Sequence, residues 1–209
     1  MRRHNNLGNR VRSTEQYSLP ERQFRTLTEP LKKDKMATSD AIYARFEALE
    51  ERVAHCYFLL HERFIADPPL AKFWADAAVD ELQHSSMLRF CREHGVRATI
   101  DVAGDAADHA AMLLNTVEGI VSNPTITIDE AFYASLLVES SELDEAYEKL
   151  TRPLAADHGL LYEAVRASLR THHDRFADAA EQFSTDQAYA EAFRAFGKAE
   201  QRVLRKGAP

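Results

Sequence analysis

FWADAAVDELQHSSMLRFC, residues 73–91, is the stretch whose reading decides the fold. Read as a helix with its approach, it lines up Leu70, Phe73, Trp74, Ala77, Leu88 and Cys91 at intervals of three and four. That spacing makes one buried stripe. Glu81 and His84 fall inside the stripe, between Ala77 and Leu88. Residues three apart on a helix stack one turn above the other, so an acid and an imidazole point together at an apolar core. A buried carboxylate without a partner is costly; it shifts its pKa or finds one. In a helix bundle the most economical partner for a Glu-x-x-His pair is a metal ion. The bland alternative is a Glu–His hydrogen bond with no metal, and the other helices must decide between the two.

Composition frames that question. At 209 residues the chain is long enough for one sizeable domain with a real core. Gly and Pro number 7 each, which predicts few turns and long elements, and abundant Ala, Leu, Glu and Arg favour helix. The net charge of −7 and the lack of a basic patch in the body argue against nucleic acid. No uncharged apolar run reaches the roughly 18 residues of a membrane helix, and no signal-peptide hydrophobic region follows the basic start. Cys56 and Cys91 sit in separate helical patterns with no C-x-x-C pair, so a disulfide framework is not expected and a cytoplasmic setting is the default.

Residues 1–37 differ from the rest. They hold nine Lys and Arg against four acids, a charge of +5 that leaves −12 for the remainder. Pro20 and Pro30 interrupt them and no periodicity is sustained. They read as a flexible basic N-terminal arm, able to touch the acidic body, a partner or a polyanion. Met36 is an alternative start. The bundle domain is then 38–205.

The first helix is expected from about Ser39 to Ile65, capped by Ser39 or Asp40. Its stripe is Ile42, Phe46, Leu49, Val53, Tyr57, Leu60 and Phe64, with Glu50 at the edge. Glu50 is either a flanking surface acid beside Glu47 and Glu51 or a second polar residue aimed inward. Asp67-Pro68-Pro69 turns the chain into helix 2, which Gly95 ends near His94. Residues 96–127 form a long crossover with helical composition over 105–122, Ala107, Ala110, Leu114, Val117 and Val121 on one side, and His109 and Glu118 in solvent. A connection of that length lets helices 2 and 3 run parallel. Helix 3 is expected from Asp129 to Leu150 with a stripe of Phe132, Leu136, Leu143, Tyr147 and Leu150. Glu139 stands in the middle of that stripe, Glu142 one turn on, and Asp144, Glu145 and Glu148 read as a solvated face. Pro153 breaks the chain. Helix 4, Leu160 to Phe183, carries Leu161, Val165, Leu169, Phe176, Ala180 and Phe183, with His172 on the stripe and His173 at its other edge. Ser184 or Thr185 caps a C-terminal helix to about Arg205, with Tyr189, Phe193 and Phe196 inward.

Four helices thus each bring a polar group to the core: Glu50, Glu81 with His84, Glu139, and His172. Glu50 with Tyr57, then FIADPPLAKFWADAAVDELQH, then Glu139 with Tyr147 together resemble the ferritin-like superfamily, its rubrerythrin-type branch above all, over about residues 40–183. The resemblance implies an all-α, four-helix bundle with a long crossover between helices 2 and 3. It implies a non-haem di-iron carboxylate site. Glu81 would bridge the metals, Glu50 and Glu139 would be terminal or bridging, and His84 would bind one iron. Glu142 matches a further acid that approaches the metal, and on helix 4 His172 is favoured over His173 as the ligand because Phe176 lies four residues on, as Leu88 does from His84. Tyr57 and Tyr147 are the expected catalytic side chains. The cofactor is two iron ions, or one, with manganese as the alternative. The chain departs from the pattern where Leu169, not Glu, precedes His172 by three, and Arg170 precedes His173. One carboxylate is missing, so two unequal metal positions are expected. No four-cysteine rubredoxin-like segment is present, so electrons must come from an external donor.

The residue chemistry agrees. Carboxylate with imidazole suits iron and manganese, and acids around one cavity repel one another without cations. The leading expectation is redox chemistry on peroxide, oxygen or ferrous iron, in an enzyme of peroxidase or ferroxidase type. The other is a non-catalytic bundle that has lost full metal occupancy and serves as a partner-binding scaffold. A haemerythrin-like carrier lacks its His-rich spacings. A homodimer is one possible assembly.

Overall fold

The computed structural model describes residues 38–97 and 104–196; the side chains of Glu142 and Asp144 also lie outside that description. The expected basic arm, and the part of the expected C-terminal helix beyond 196, lie outside the described residues. Those residues form helices and no strand: α1 Ser39–Arg63, α2 Pro68–Glu93, α3 Gly104–Val121, α4 Ile128–Glu139, α5 Glu142–Thr151, α6 Leu154–Asp157, α7 Gly159–Phe183, and α8 over 188–196.

Local chemistry sets the helix ends. Thr38, not Ser39 or Asp40, caps α1, its hydroxyl accepting from the Ala41 amide at 3.3 Å. The Asp67 carboxylate accepts from the Leu70 amide at 3.2 Å and Pro68 opens α2. Beyond its end, Gly95 takes φ +68°, the Val96 amide reaches the Cys91 carbonyl at 2.9 Å, and the Gly95 amide reaches that of Arg92 at 3.2 Å. That is a Schellman stop, which favours glycine. Thr127 and Glu130 form a capping box at α4.

Helix 3 departs from expectation. The chain does not run as one helix from Asp129 to Leu150. It breaks at Ser140–Ser141, immediately after Glu139, and restarts with the Ser141 hydroxyl accepting from the Leu143 amide at 3.2 Å. Adjacent serines compete for backbone hydrogen bonds and favour caps over helix interiors. One further cap is reassigned. Asp186 caps α8 through the Ala188 amide at 2.9 Å. Ser184 and Thr185 instead grip Asp129 at the start of α4, at 2.6 Å from the Ser184 hydroxyl and 2.9 Å from the Thr185 amide.

Contacts between helices fix their directions. Tyr57 stacks near Trp74 while the Arg92 guanidinium donates to Glu47 at 2.6 Å, so α1 and α2 are antiparallel. Tyr57 bonds Glu139 while the Tyr43 hydroxyl donates to the Leu150 carbonyl, so α4–α5 also opposes α1. Phe73 meets Phe176 while Phe90 meets His158, which sets α7 against α2. Helices α1 and α7 therefore run one way, and α2 and α4–α5 the other. The crossover helix α3 runs parallel to α1, tied by Arg52 to Glu118 at 2.8 Å and by Arg63 to the Pro124 carbonyl.

The core lies between these helices, and Trp74, Tyr43, Tyr57, Phe46, Phe132, Phe176 and Phe193 are its largest fully buried side chains. The inward face foreseen for α3 is buried residue for residue: Ala107, Ala110, Leu114, Val117 and Val121. Other positions differ. Glu118 is half-buried and paired rather than solvated. Glu148 is buried, not part of a solvated face, and accepts from Tyr162 at 3.1 Å and from Arg152 at 2.8 Å. Tyr162 takes the buried place expected of Leu161, since its hydroxyl can satisfy Glu148. Leu136 is only half-buried, with Ser135 inward instead, its hydroxyl bonded to the Ala131 carbonyl. Cys56 and Cys91 are free, buried thiols. No helix among the described residues is long and apolar enough to cross a membrane.

Candidate metal centre

The amphipathic spacing of α1 buries Phe46, Leu49 and Val53, and it carries Glu50 inward with them to 2 % exposure. Glu50 is therefore not a flanking surface acid. On α2, Glu81 and His84 are equally buried, with His84 Nδ1 at 3.0 Å from Glu81 Oε2 and 3.9 Å from Glu50 Oε2. From α4 comes Glu139 and from α7 His172, whose Nε2 lies 3.1 Å from Glu139 Oε2 and 3.2 Å from Glu81 Oε1.

These side chains form two groups that can hold a metal ion, Glu50–Glu81–His84 and Glu81–Glu139–His172, each with its donor atoms within 4.8 Å of one another. Glu81 belongs to both. The carboxylate expected to bridge two ions is the one residue common to the two groups. Glu50 Oε1 and His84 Nε2 are buried without a hydrogen-bond partner. Native interiors rarely leave buried polar atoms without a partner, so these two point to a ligand between them. Carboxylate and imidazole donors sharing a pocket fit a divalent ion of the iron or manganese kind.

The buried acids and imidazoles shift one another's titration. Burial pushes the Glu50 carboxyl up to about 8, against the pull of the His84 imidazole 3.9 Å away. Burial opposes charge on His84, yet Glu81 and then Glu50 raise it to about 10. His172 rises well above the usual imidazole range because Glu139 and Glu81 outweigh the burial that opposes its charge. Burial likewise works against charge on Glu81, but His84 and His172 on either side hold its carboxyl below the usual carboxylate range. These shifts favour protons on Glu50, His84 and His172, and a metal ion bound among them would have to displace those protons.

The two tyrosines border these groups. The Tyr57 hydroxyl donates to Glu139 Oε1 at 2.5 Å, and the buried Tyr147 ring lies 4.5 Å from that of His84. His173 is buried too, its Nε2 3.7 Å from Glu139, but the three-residue group takes His172. Glu142 opens α5, and its side chain lies outside the described residues. Leu169 is 4 % exposed and faces the core one turn before His172.

One participant escaped the sequence reading. Asp80 is buried, accepts from His172 Nδ1 at 3.0 Å and pairs with Arg175. A carboxylate on one imidazole nitrogen fixes the tautomer and orients the other nitrogen, here toward Glu81 and Glu139. Its signal was present in the spacing 77, 80, 84, which puts Asp80 on the stripe beside Glu81.

No protein-family model, curated protein or solved structure matches the chain. The fold and site define an all-helical protein with buried carboxylate–imidazole groups able to hold a metal.

Proposed function

We propose that this chain is a ferritin-like, rubrerythrin-type protein that holds two iron ions, with manganese as the alternative, between α1, α2, α4 and α7. Its reaction is reduction of peroxide or oxygen, or oxidation of ferrous iron, with electrons from a separate donor and a cytoplasmic setting. The observation that carries this reading is the sharing of Glu81 by two buried donor groups.

Bound iron supplies the electrons that peroxide or oxygen accepts. Each side chain has its own part. Glu50, Glu81 and His84 hold one ion, and Glu81, Glu139 and His172 the other. Asp80 keeps His172 Nε2 aimed inward. Tyr57 keeps a proton at Glu139 Oε1, next to where a reduction consumes protons. Trp74 and Phe176 cover this end of the site and limit access by water.

One feature favours a second reading, a partner-binding scaffold without metal. His84 lies 3.0 Å from Glu81 and His172 3.1 Å from Glu139, so part of the polar core is satisfied by its own side chains, and Leu169 stands where a further ligand is expected. Metal analysis after anaerobic ferrous loading separates the two. Wild type should retain about two ions per chain and Glu81→Ala close to none, because Glu81 serves both groups. Equal, near-zero metal in both proteins would leave the scaffold.

A further inference from the structure

Every donor of the candidate metal centre is buried, so an ion that joins the folded chain needs a way in. A cavity of about 320 Å³ lies between α2 and α7. It has room for an ion with part of its hydration shell, at about 30 Å³ for each water. Its wall includes Asp76 and Asp80 from α2, and Arg175, Phe176 and Asp178 from α7. Two of these touch the centre. Asp80 accepts from His172 Nδ1 at 3.0 Å, and the Phe176 ring lies 4.9 Å from that of His172.

The wall is graded from solvent to core. Along α2, steps of four lead from half-buried Asp76 to buried Asp80 and then to His84 of the first donor group. Along α7, steps of three lead from exposed Asp178 to half-buried Arg175 and then to His172 of the second group. The two helices are antiparallel, so both series descend toward the donors side by side. Three acids, Asp76, Asp80 and Asp178, stand against two cations, Lys72 and Arg175, an excess of one negative charge. Lys72 pairs with Asp76 in solvent, and Arg175 closes over Asp80. A cleft with one sign of charge in excess raises the local concentration of opposite ions. A second cavity, at the Ser140–Ser141 break, has no carboxylate in its wall.

We propose that this cavity is the entry route of a divalent cation, ferrous or manganous, to the buried donors. Asp178 and Asp76 draw the ion to the mouth. Arg175 swings toward solvent, and Asp80 receives the ion and passes it to the donors beside His172. The route rests on the metal reading above and adds to it a direction of approach, from the α2–α7 side.

The test measures uptake, not turnover. Metal-free, full-length protein is mixed anaerobically with ferrous ion, uptake is stopped at intervals with excess chelator, and the iron that stays with the protein through gel filtration is counted. Gln182 is exposed on the cavity wall and belongs to neither donor group, so its charge can be changed without touching a ligand or the core. Gln182→Arg should slow uptake about threefold or more, and Gln182→Glu should speed it by a similar factor, with the same final iron content in both. The two effects should fade in about 1 M salt, where the screening length falls to about 3 Å. Met112, exposed on α3 and no part of the cavity wall, is the control. Met112→Arg should load at the wild-type rate. Gln182→Arg and Gln182→Glu both loading at the wild-type rate would overturn the route and leave the metal reading standing. Equal slowing by Met112→Arg would also overturn it, since the effect would then be one of overall charge. A wild type that retains no iron would overturn the metal reading and the route together.

Discussion

Glu50 and His84 carry protons into the core that the unfolded chain would release, and this has a sign. Folding raises the Glu50 carboxyl from 4.5 to about 8 and the His84 imidazole from 6.5 to about 10. Between those limits the native state binds more protons than the unfolded state, so stability falls as pH rises. Metal-free protein should therefore melt at a lower temperature at pH 9 than at pH 6, in thermal scans with chelator present; a higher melting temperature at pH 9 would contradict the assignment. Divalent metal reverses the trend, because it replaces protons and binds more tightly as pH rises. Leu169 poses the complementary question. Leu169→Glu restores a Glu-x-x-His spacing with His172 on a buried position. Without metal it adds an unpaired buried charge and should cost about 3–5 kcal/mol. With metal it should tighten the weaker of two binding steps. A metal titration in which the second step is unchanged would mean that Leu169 does not mark a lost ligand position. Glu81, His84, Glu139 and His172 were legible as polar residues on apolar stripes, while Glu50, at the edge of its stripe, was open between surface and core. Asp80 was missed because a single Asp next to a stronger candidate reads as the solvated edge of the stripe. Glu148 was missed because its partners, Tyr162 and Arg152, come from later in the chain.

At the scale of elements, hydrophobic spacing located the long helices well because each has one dry face. It failed at Ser140–Ser141, where spacing continues across the serines but backbone hydrogen bonding does not. It could not foretell that Ser184 and Thr185 would reach back to Asp129, since that contact joins positions 55 and 56 residues apart. This latch ties the end of α7 to the start of α4, and the hydrogen bonds from Ser184 and Thr185 hold the Asp129 carboxyl below the usual range. Asp129→Ala should cost about 1 kcal/mol, the low end for bonds to a charged group because the site is partly exposed. That corresponds to a fall of about 2–4 °C in melting temperature for a domain of this size. No change in melting temperature would show that water replaces the latch at no cost.

Among the described residues, four helices bring their buried acids and imidazoles to one interior, so a metal bound there would share its stability with the fold. Metal that binds only the native state adds about 3 kcal/mol when present about a hundredfold above its dissociation constant. Chelation should then lower the melting temperature by roughly 6–12 °C while far-ultraviolet circular dichroism at 20 °C keeps its helical form. Superimposable melting curves with and without chelator would favour the scaffold. The parallel course of α3 beside α1 has a further meaning when the chain is considered in time rather than in space. It divides the donors between an early hairpin, α1–α2, and later helices. Glu50, Glu81 and His84 leave the ribosome together, while His172 follows several seconds later at roughly 5–20 residues per second. On the metal-binding proposal, the nascent hairpin would carry a complete first set of donors before the second set exists, and birth order would favour that place for the first ion.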